Sequence, residues 1–245
     1  MTPRILFAVT RRVLTQLRRD RRTAAMLLVL PCVLITLLWW MFRDMPGGLF
    51  DRFGPGLLAL FPFIVMFLVT SVTTLRERSS GTLERLLAMP MGKLDFLGGY
   101  AVAFGLVAAV QAALAVVLSV GVLGLDVAGP VWLLGVVAVV DAVLGSALGL
   151  FVSAFAQTEF QAVQFMPLLV IPQILLCGLF VPRSAMPGVL HGLSDVLPLS
   201  YATDAMQTLV GSADTGGVWR DLAVVAAFAV AALGLGAATL RRRTG

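Results

Sequence analysis

Phe96 to Leu125 reads FLGGYAVAFGLVAAVQAALAVVLSVGVLGL, thirty residues without a charge. A bilayer's hydrocarbon core of about 30 Å is crossed by roughly 20 apolar residues as a helix, so this stretch is long enough to span. It lacks the alternation of a barrel strand and far exceeds a strand's roughly 10 residues, so the span is helical. Five further runs read the same way: Thr23 to Phe42, Gly54 to Leu75, Val127 to Thr158 with one internal Asp, Phe160 to Pro182, and Leu222 to Leu240. The composition agrees. With 59% hydrophobic residues, 13% charged residues and a mean hydropathy of +0.97, the chain has too little polar surface for a water-soluble globule. The expected fold is all-α: a polytopic membrane helix bundle with six transmembrane helices, read as a single domain over residues 1–245.

Orientation follows from the basic residues. Arg4, Arg11, Arg12, Arg18, Arg19, Arg21 and Arg22 precede the first span; Arg76, Arg78, Arg85 and Lys93 lie between the second and third; Arg241, Arg242 and Arg243 follow the last. The other side carries only Arg43, Arg52, Arg183 and Arg220. This asymmetry puts both termini and the 76–96 connection in the cytoplasm. The net charge of +5 is thus a topology signal, and no nucleic-acid partner is expected. Arg43-Asp44-Met45-Pro46 after the first run is no small-residue cleavage site, so that run is expected to be an uncleaved span. Seventeen of the eighteen basic residues are Arg, a bias of GC-rich genomes, which points to a bacterial plasma membrane.

Within residues 1–22, Ile5, Leu6, Val9, Val13, Leu14 and Leu17 recur at helical spacing among the arginines. Such a helix would lie at the cytosolic interface with its arginines toward anionic lipid headgroups; the alternative is a loose basic tail. Pro62, Pro167 and Pro172 fall inside spans and are expected to bend or locally unwind them. Gly145-Ser146-Ala147-Leu148-Gly149 gives the fourth span a small-xxx-small face for close helix packing, within the chain rather than as a dimer seam. No internal repeat is visible between the first three and last three spans, which counts against a carrier built from inverted repeats.

Chemistry-bearing motifs are missing. The sequence has no GxxxxGK[ST] loop, no HExxH and no paired Cys/His ligands, so no catalytic residue, metal or cofactor is expected on this chain. Cys32 and Cys177 fall inside predicted spans as small hydrophobes. His191, the only histidine, falls in the connection before the last span as a solvated or packed side chain.

The polar insert Arg76-Glu77-Arg78-Ser79-Ser80-Gly81-Thr82-Leu83-Glu84-Arg85-Leu86-Leu87-Ala88-Met89-Pro90 carries more information. Ser79 and Ser80 offer a cap hydroxyl, Leu83, Leu86 and Leu87 recur at i, i+3 and i+4, and Pro90 stops the helix. A two-turn helix is not stable alone, so the leucine stripe of Thr82 to Met89 needs a partner, either the lipid surface or a cleft on another protein.

This insert resembles the coupling-helix segment of type-2 ABC export permeases, the group with daunorubicin-resistance and polysaccharide-export subunits. A second stretch, Cys177-Gly178-Leu179-Phe180-Val181-Pro182, Pro187, Leu197-Pro198-Leu199-Ser200-Tyr201-Ala202 and Asp204-Ala205, is similar to the segment that leaves span 5 of that family and folds extracellular re-entrant helices. Met89 stands where the family often has Ser or Thr, and Gln207 where a basic residue is common.

The resemblance implies a coupling segment at 76–96, with Glu77, Gly81, Thr82, Leu83, Glu84, Leu86 and Leu87 facing an ATPase, and a re-entrant segment at 183–218. It also implies a second permease copy and two separate ATPase chains that bind ATP and Mg. A charge change at Glu159, on the other cytosolic loop, is expected to matter less. Asp141 lies mid-span, where an acidic side chain costs at least ~2.5 kcal/mol, so it should face protein or water and have a partner. With Gln111, Gln164 and Gln173 it is a candidate for the translocation path. The structural alternative is a carboxyl clasping Gln111, Ser146 or a backbone carbonyl. The aliphatic spans favour a hydrophobic or amphipathic small molecule such as an antibiotic as substrate. Export of a polysaccharide or lipid-linked glycan is the alternative, and a non-transporting scaffold that docks an ATPase is the alternative of another class.

Overall fold

The structure, a computed structural model, describes residues 3–79 and 93–239. The expected coupling helix Thr82 to Met89 and the Arg241 to Arg243 tail lie outside the described residues. Among those described there are nine α-helices: α1 Pro3–Arg19, α2 Arg21–Phe42, α3 Leu49–Ser79, α4 Lys93–Gly121, α5 Val131–Val152, α6 Glu159–Leu176, α7 Gly188–Asp195, α8 Pro198–Gly211 and α9 Gly216–Thr239, with a 3-10 turn at Arg183–Ala185. Six of them, α2 to α6 and α9, are long and apolar enough to cross a membrane.

The core is built on α3 and α5. Leu58, Phe63, Met66 and Phe67 of α3 and Leu133, Leu134, Ala138 and Leu144 of α5 are all but inaccessible. Gly145 and Gly149 make that packing close. A Cβ on Gly145 would lie 2.4 Å from the Phe63 carbonyl oxygen, and one on Gly149 would lie 2.5 Å from that of Phe67. The small-residue face is thus occupied by α3 of the same chain. Outward, the pattern of a soluble protein is reversed: Val29, Val33, Leu37 and Trp40 of α2, Val110, Leu114 and Val117 of α4, and Leu168, Ile171 and Leu175 of α6 are exposed. Hydrocarbon is the solvent such faces match.

One expectation needs correcting. The helices end earlier than the apolar runs: α4 stops at Gly121 and α6 at Leu176, because Gly124 (φ +72°) and Gly178 (φ +89°) take left-handed backbone that ends a helix. Hydropathy reports burial rather than helicity there, since Leu123, Leu125, Cys177 and Leu179 remain buried in non-helical backbone. Both α3, through Pro55 and Pro62, and α6, through Pro167 and Pro172, run on as helices.

On one side of the bundle α1 lies against α4. Val9 and Val13 are buried, the Thr10 hydroxyl lies 3.1 Å from the Gly99 carbonyl oxygen, and a Cβ on Gly99 would meet Val9 at 2.6 Å. On the opposite side α8 is wedged into the bundle, burying Leu199, Ala202, Ala205, Met206 and Leu209. The short α7 beside it buries only Ser194.

Candidate functional site

The candidate residues fall in two regions. The first is the last turn of α3, from which the chain enters the insert. Glu77 is turned inward: its side chain is 9% exposed and accepts from Arg12 Nη2 of α1 at 3.5 Å. Arg76 beside it makes a two-pronged pair with Glu159 at the start of α6, Nε to Oε1 at 2.7 Å and Nη2 to Oε2 at 2.9 Å. Both partners are more than half exposed, so the pair adds little stability, but its paired geometry fixes position. The end of α3 is therefore tied to α1 and α6. Glu159, expected to be of lesser weight, adjoins the insert through Arg76. Gly81, Thr82, Leu83, Glu84, Leu86 and Leu87 lie outside the described residues.

The intramembrane polar groups form the second set, and they do not converge. Gln111 of α4 is buried and donates from Nε2 to the Leu27 carbonyl of α2 at 2.9 Å. Pro31, four residues on, has no N–H to satisfy that carbonyl, and Gln111 supplies the missing donor. Gln173 of α6 donates to Leu169 O at 3.0 Å and accepts from Leu199 N at 3.4 Å, meeting an orphan amide of the first turn of α8. Gln164 is exposed on the outer face of α6.

Asp141 stands apart from all three. It is fully buried, and neither carboxyl oxygen has a hydrogen-bond partner among the described residues. The partners considered for it are engaged elsewhere: Gln111 with Leu27, and Ser146 with the Ala142 carbonyl at 3.1 Å. Asp141→Asn keeps the shape and lowers the desolvation cost, so accumulation and transport should stay within ~2-fold of wild type. Selective loss of export of cationic substrates by that variant, at normal accumulation, would place Asp141 on the pathway.

Concave features are also present among the described residues. A cavity of about 290 Å³ lies among Asp51, Arg52 and Pro55 of α3, Gly178 and Leu179 beyond α6, and Gln207 of α8. A groove of about 540 Å³ runs along α1 past Phe7, Arg11, Arg12, Thr15 and Arg19.

Sequence reasoning did not find the Arg12–Glu77 and Arg76–Glu159 bridges, which join residues 65 and 83 positions apart. No local pattern marks them. Pro31 was the readable sign of a freed carbonyl, though not of which side chain would reach it.

Comparison with known proteins bears on the same elements. The family model for ABC-2 type transporters matches residues 4–210, taking in α1 to all but the end of α8. The chain is 30% identical over 169 residues to the probable multidrug ABC transporter permease YbhR of Escherichia coli, covering 69% of this chain and 46% of that protein. It is 29% identical over 160 residues to the inner membrane transport permease YhhJ of Escherichia coli (63% of this chain, 42% of that protein), and 24% identical over 160 residues to ABC transporter G family member 20 of Dictyostelium discoideum (65% and 22%). The matched part is less than half the length of each of these relatives.

Proposed function

This chain belongs to the ABC-2 type transporter family, and we propose that it acts as the membrane permease subunit of an ATP-driven exporter, pairing with a second permease copy and two separate ATPase chains. ATP and Mg bind on the ATPases, and this chain carries no cofactor. The chain sits in a bacterial plasma membrane with both termini and the 80–92 segment on the cytoplasmic side. The substrate is a hydrophobic or amphipathic small molecule such as an antibiotic, a reading supported by the aliphatic spans and by relatives named as multidrug permeases.

The observation that carries this reading is the tied end of α3. A force on the insert reaches α3, one of the two most buried spans, and through Arg12–Glu77 and Arg76–Glu159 it also reaches α1 and α6. That is the connection a coupling segment requires: the nucleotide favours one arrangement of the ATPases, and the helices it pulls on follow. The amphipathic α1 serves as an interfacial element, with its valines on α4, Phe7 toward lipid, and the arginines other than Arg12 left for anionic headgroups.

The orientation is tested with single cysteines at Ser79 and Ala213 in a chain whose Cys32 and Cys177 are serine. Membrane-impermeant maleimide should reach Ala213→Cys from outside intact cells and Ser79→Cys only after permeabilisation. Labelling of both from one side would overturn the six-span arrangement. The function itself is tested by purifying the chain with its ATPase into lipid vesicles, where candidate substrates should stimulate ATP hydrolysis.

A further inference from the structure

The helix α7 is built inside out. Ser194 is its one buried residue, with the hydroxyl 2.8 Å from the Leu176 carbonyl at the end of α6 and 3.0 Å from Ser200 Oγ of α8, and the half-exposed Asp195 pairs with Arg183. Of its apolar side chains Val189 is exposed and Leu190 and Leu193 are half exposed, and Val196 just after it is exposed. No apolar side chain of α7 is fully buried, so its hold leans on polar contacts. Its neighbour α8 differs, being anchored by five buried apolar residues.

Arg183 is the central contact. Its side chain is 12% exposed, and its guanidinium pairs with Asp195 of α7 and Asp204 of α8 while lying over the Tyr201 ring at 5.2 Å. The Tyr201 hydroxyl donates to the Asp195 backbone carbonyl at 2.7 Å. His191 Nδ1 of α7 is 3.5 Å from Asp195 Oδ2, and the Arg220–Asp221 pair of α9 adds opposed charges acting on Asp204. Burial raises the pKa of Asp204, and Arg183 is the largest influence opposing that shift.

We propose that Arg183 is a positioning residue that latches α7 as a flap over the outer end of α6, with α8 as the fixed element it closes against. Arg183 leaves the chain just beyond α6 and holds one carboxylate on the helix that lacks apolar anchoring and one on the helix that has it. Losing the α7 side therefore loosens the flap, which Ser194 and Tyr201 still contact, and leaves α8 seated. A flap at the exit end of a transport path rests on the exporter reading. The latch does not, and its test contains no ATPase.

The latch is tested by hydrogen exchange on the full chain in lipid nanodiscs. Amides of α7 should exchange slowly in wild-type protein and roughly tenfold faster in Arg183→Gln, the order set by loss of a charge-assisted hydrogen bond. Asp195→Asn should act alike while Arg183 keeps Asp204, so the test stands even where Arg183→Gln fails to accumulate. Arg183→Lys should restore part of the protection. Hydrogen exchange should quicken in α7 and not in α8. Unchanged exchange of α7 in Asp195→Asn, or exchange rising equally in both helices, would overturn the latch.

Discussion

Gly149→Leu should abolish accumulation of the folded protein, and Gly145→Leu should do nearly as much. A Cβ at position 149 would lie 2.5 Å from the Phe67 carbonyl oxygen and 3.1 Å from the Ser71 amide nitrogen; at 145 it would lie 2.4 Å from the Phe63 oxygen. These are backbone atoms of α3 and cannot rotate away. Accommodating even a methyl group requires α3 and α5 to separate along the contact on which the core is built. Overpacking a core ordinarily costs about 1–3 kcal/mol. Two helices forced apart should exceed that range and consume much of a stability of roughly 5–15 kcal/mol. Gly135→Leu on the same helix is the control, since a Cβ there meets nothing within 4 Å. Membrane accumulation and thermal unfolding in detergent should separate the three variants. A Gly149→Leu protein as stable as Gly135→Leu would contradict the α3–α5 packing.

These glycines mark how far the sequence could be read. Gly145 and Gly149, four residues apart in an apolar run, announce a close helix contact, because spacing on one helix is a local property. That α3 is the partner is a property of tertiary packing, and nothing near residue 145 encodes it. Uncharged length gave the six spans for the same local reason, and it overran their ends where Leu123, Leu125 and Leu179 are buried without being helical. Asp141, Gln111 and Gln173 stood out as polar groups at membrane depth. Their surroundings then separate them: Gln111 answers the carbonyl freed by Pro31, Gln173 meets the start of α8, and Asp141 is enclosed without a hydrogen-bond partner among the described residues. The exposed apolar face of α7 and its buried Ser194 were beyond any hydropathy reading, because a helix of eight residues shows its orientation only through what it packs against.

The second large effect is expected at Leu86 and Leu87. If the insert seats a leucine stripe in an apolar cleft of the ATPase, its binding energy is concentrated in those buried anchors, with Glu84 and the adjacent arginines as a polar rim. Leu86→Ala with Leu87→Ala removes the anchors and touches no span, so membrane insertion should be unchanged. Truncation of two central anchors commonly costs about 2 kcal/mol or more each, which is at least ~30-fold in affinity for either. Disrupting the Arg76–Glu159 bridge should have a smaller effect, because that exposed pair fixes position and contributes about 0–1 kcal/mol.

The most direct measurement of the coupling role is made on the permease reconstituted with its ATPase in lipid vesicles, with ATP hydrolysis and substrate accumulation recorded together. The account predicts that wild-type complexes show both, and that the Leu86/Leu87 double variant inserts normally but loses the ATPase on purification or hydrolyses ATP without accumulating substrate. Undiminished assembly and coupled transport in that variant would contradict it.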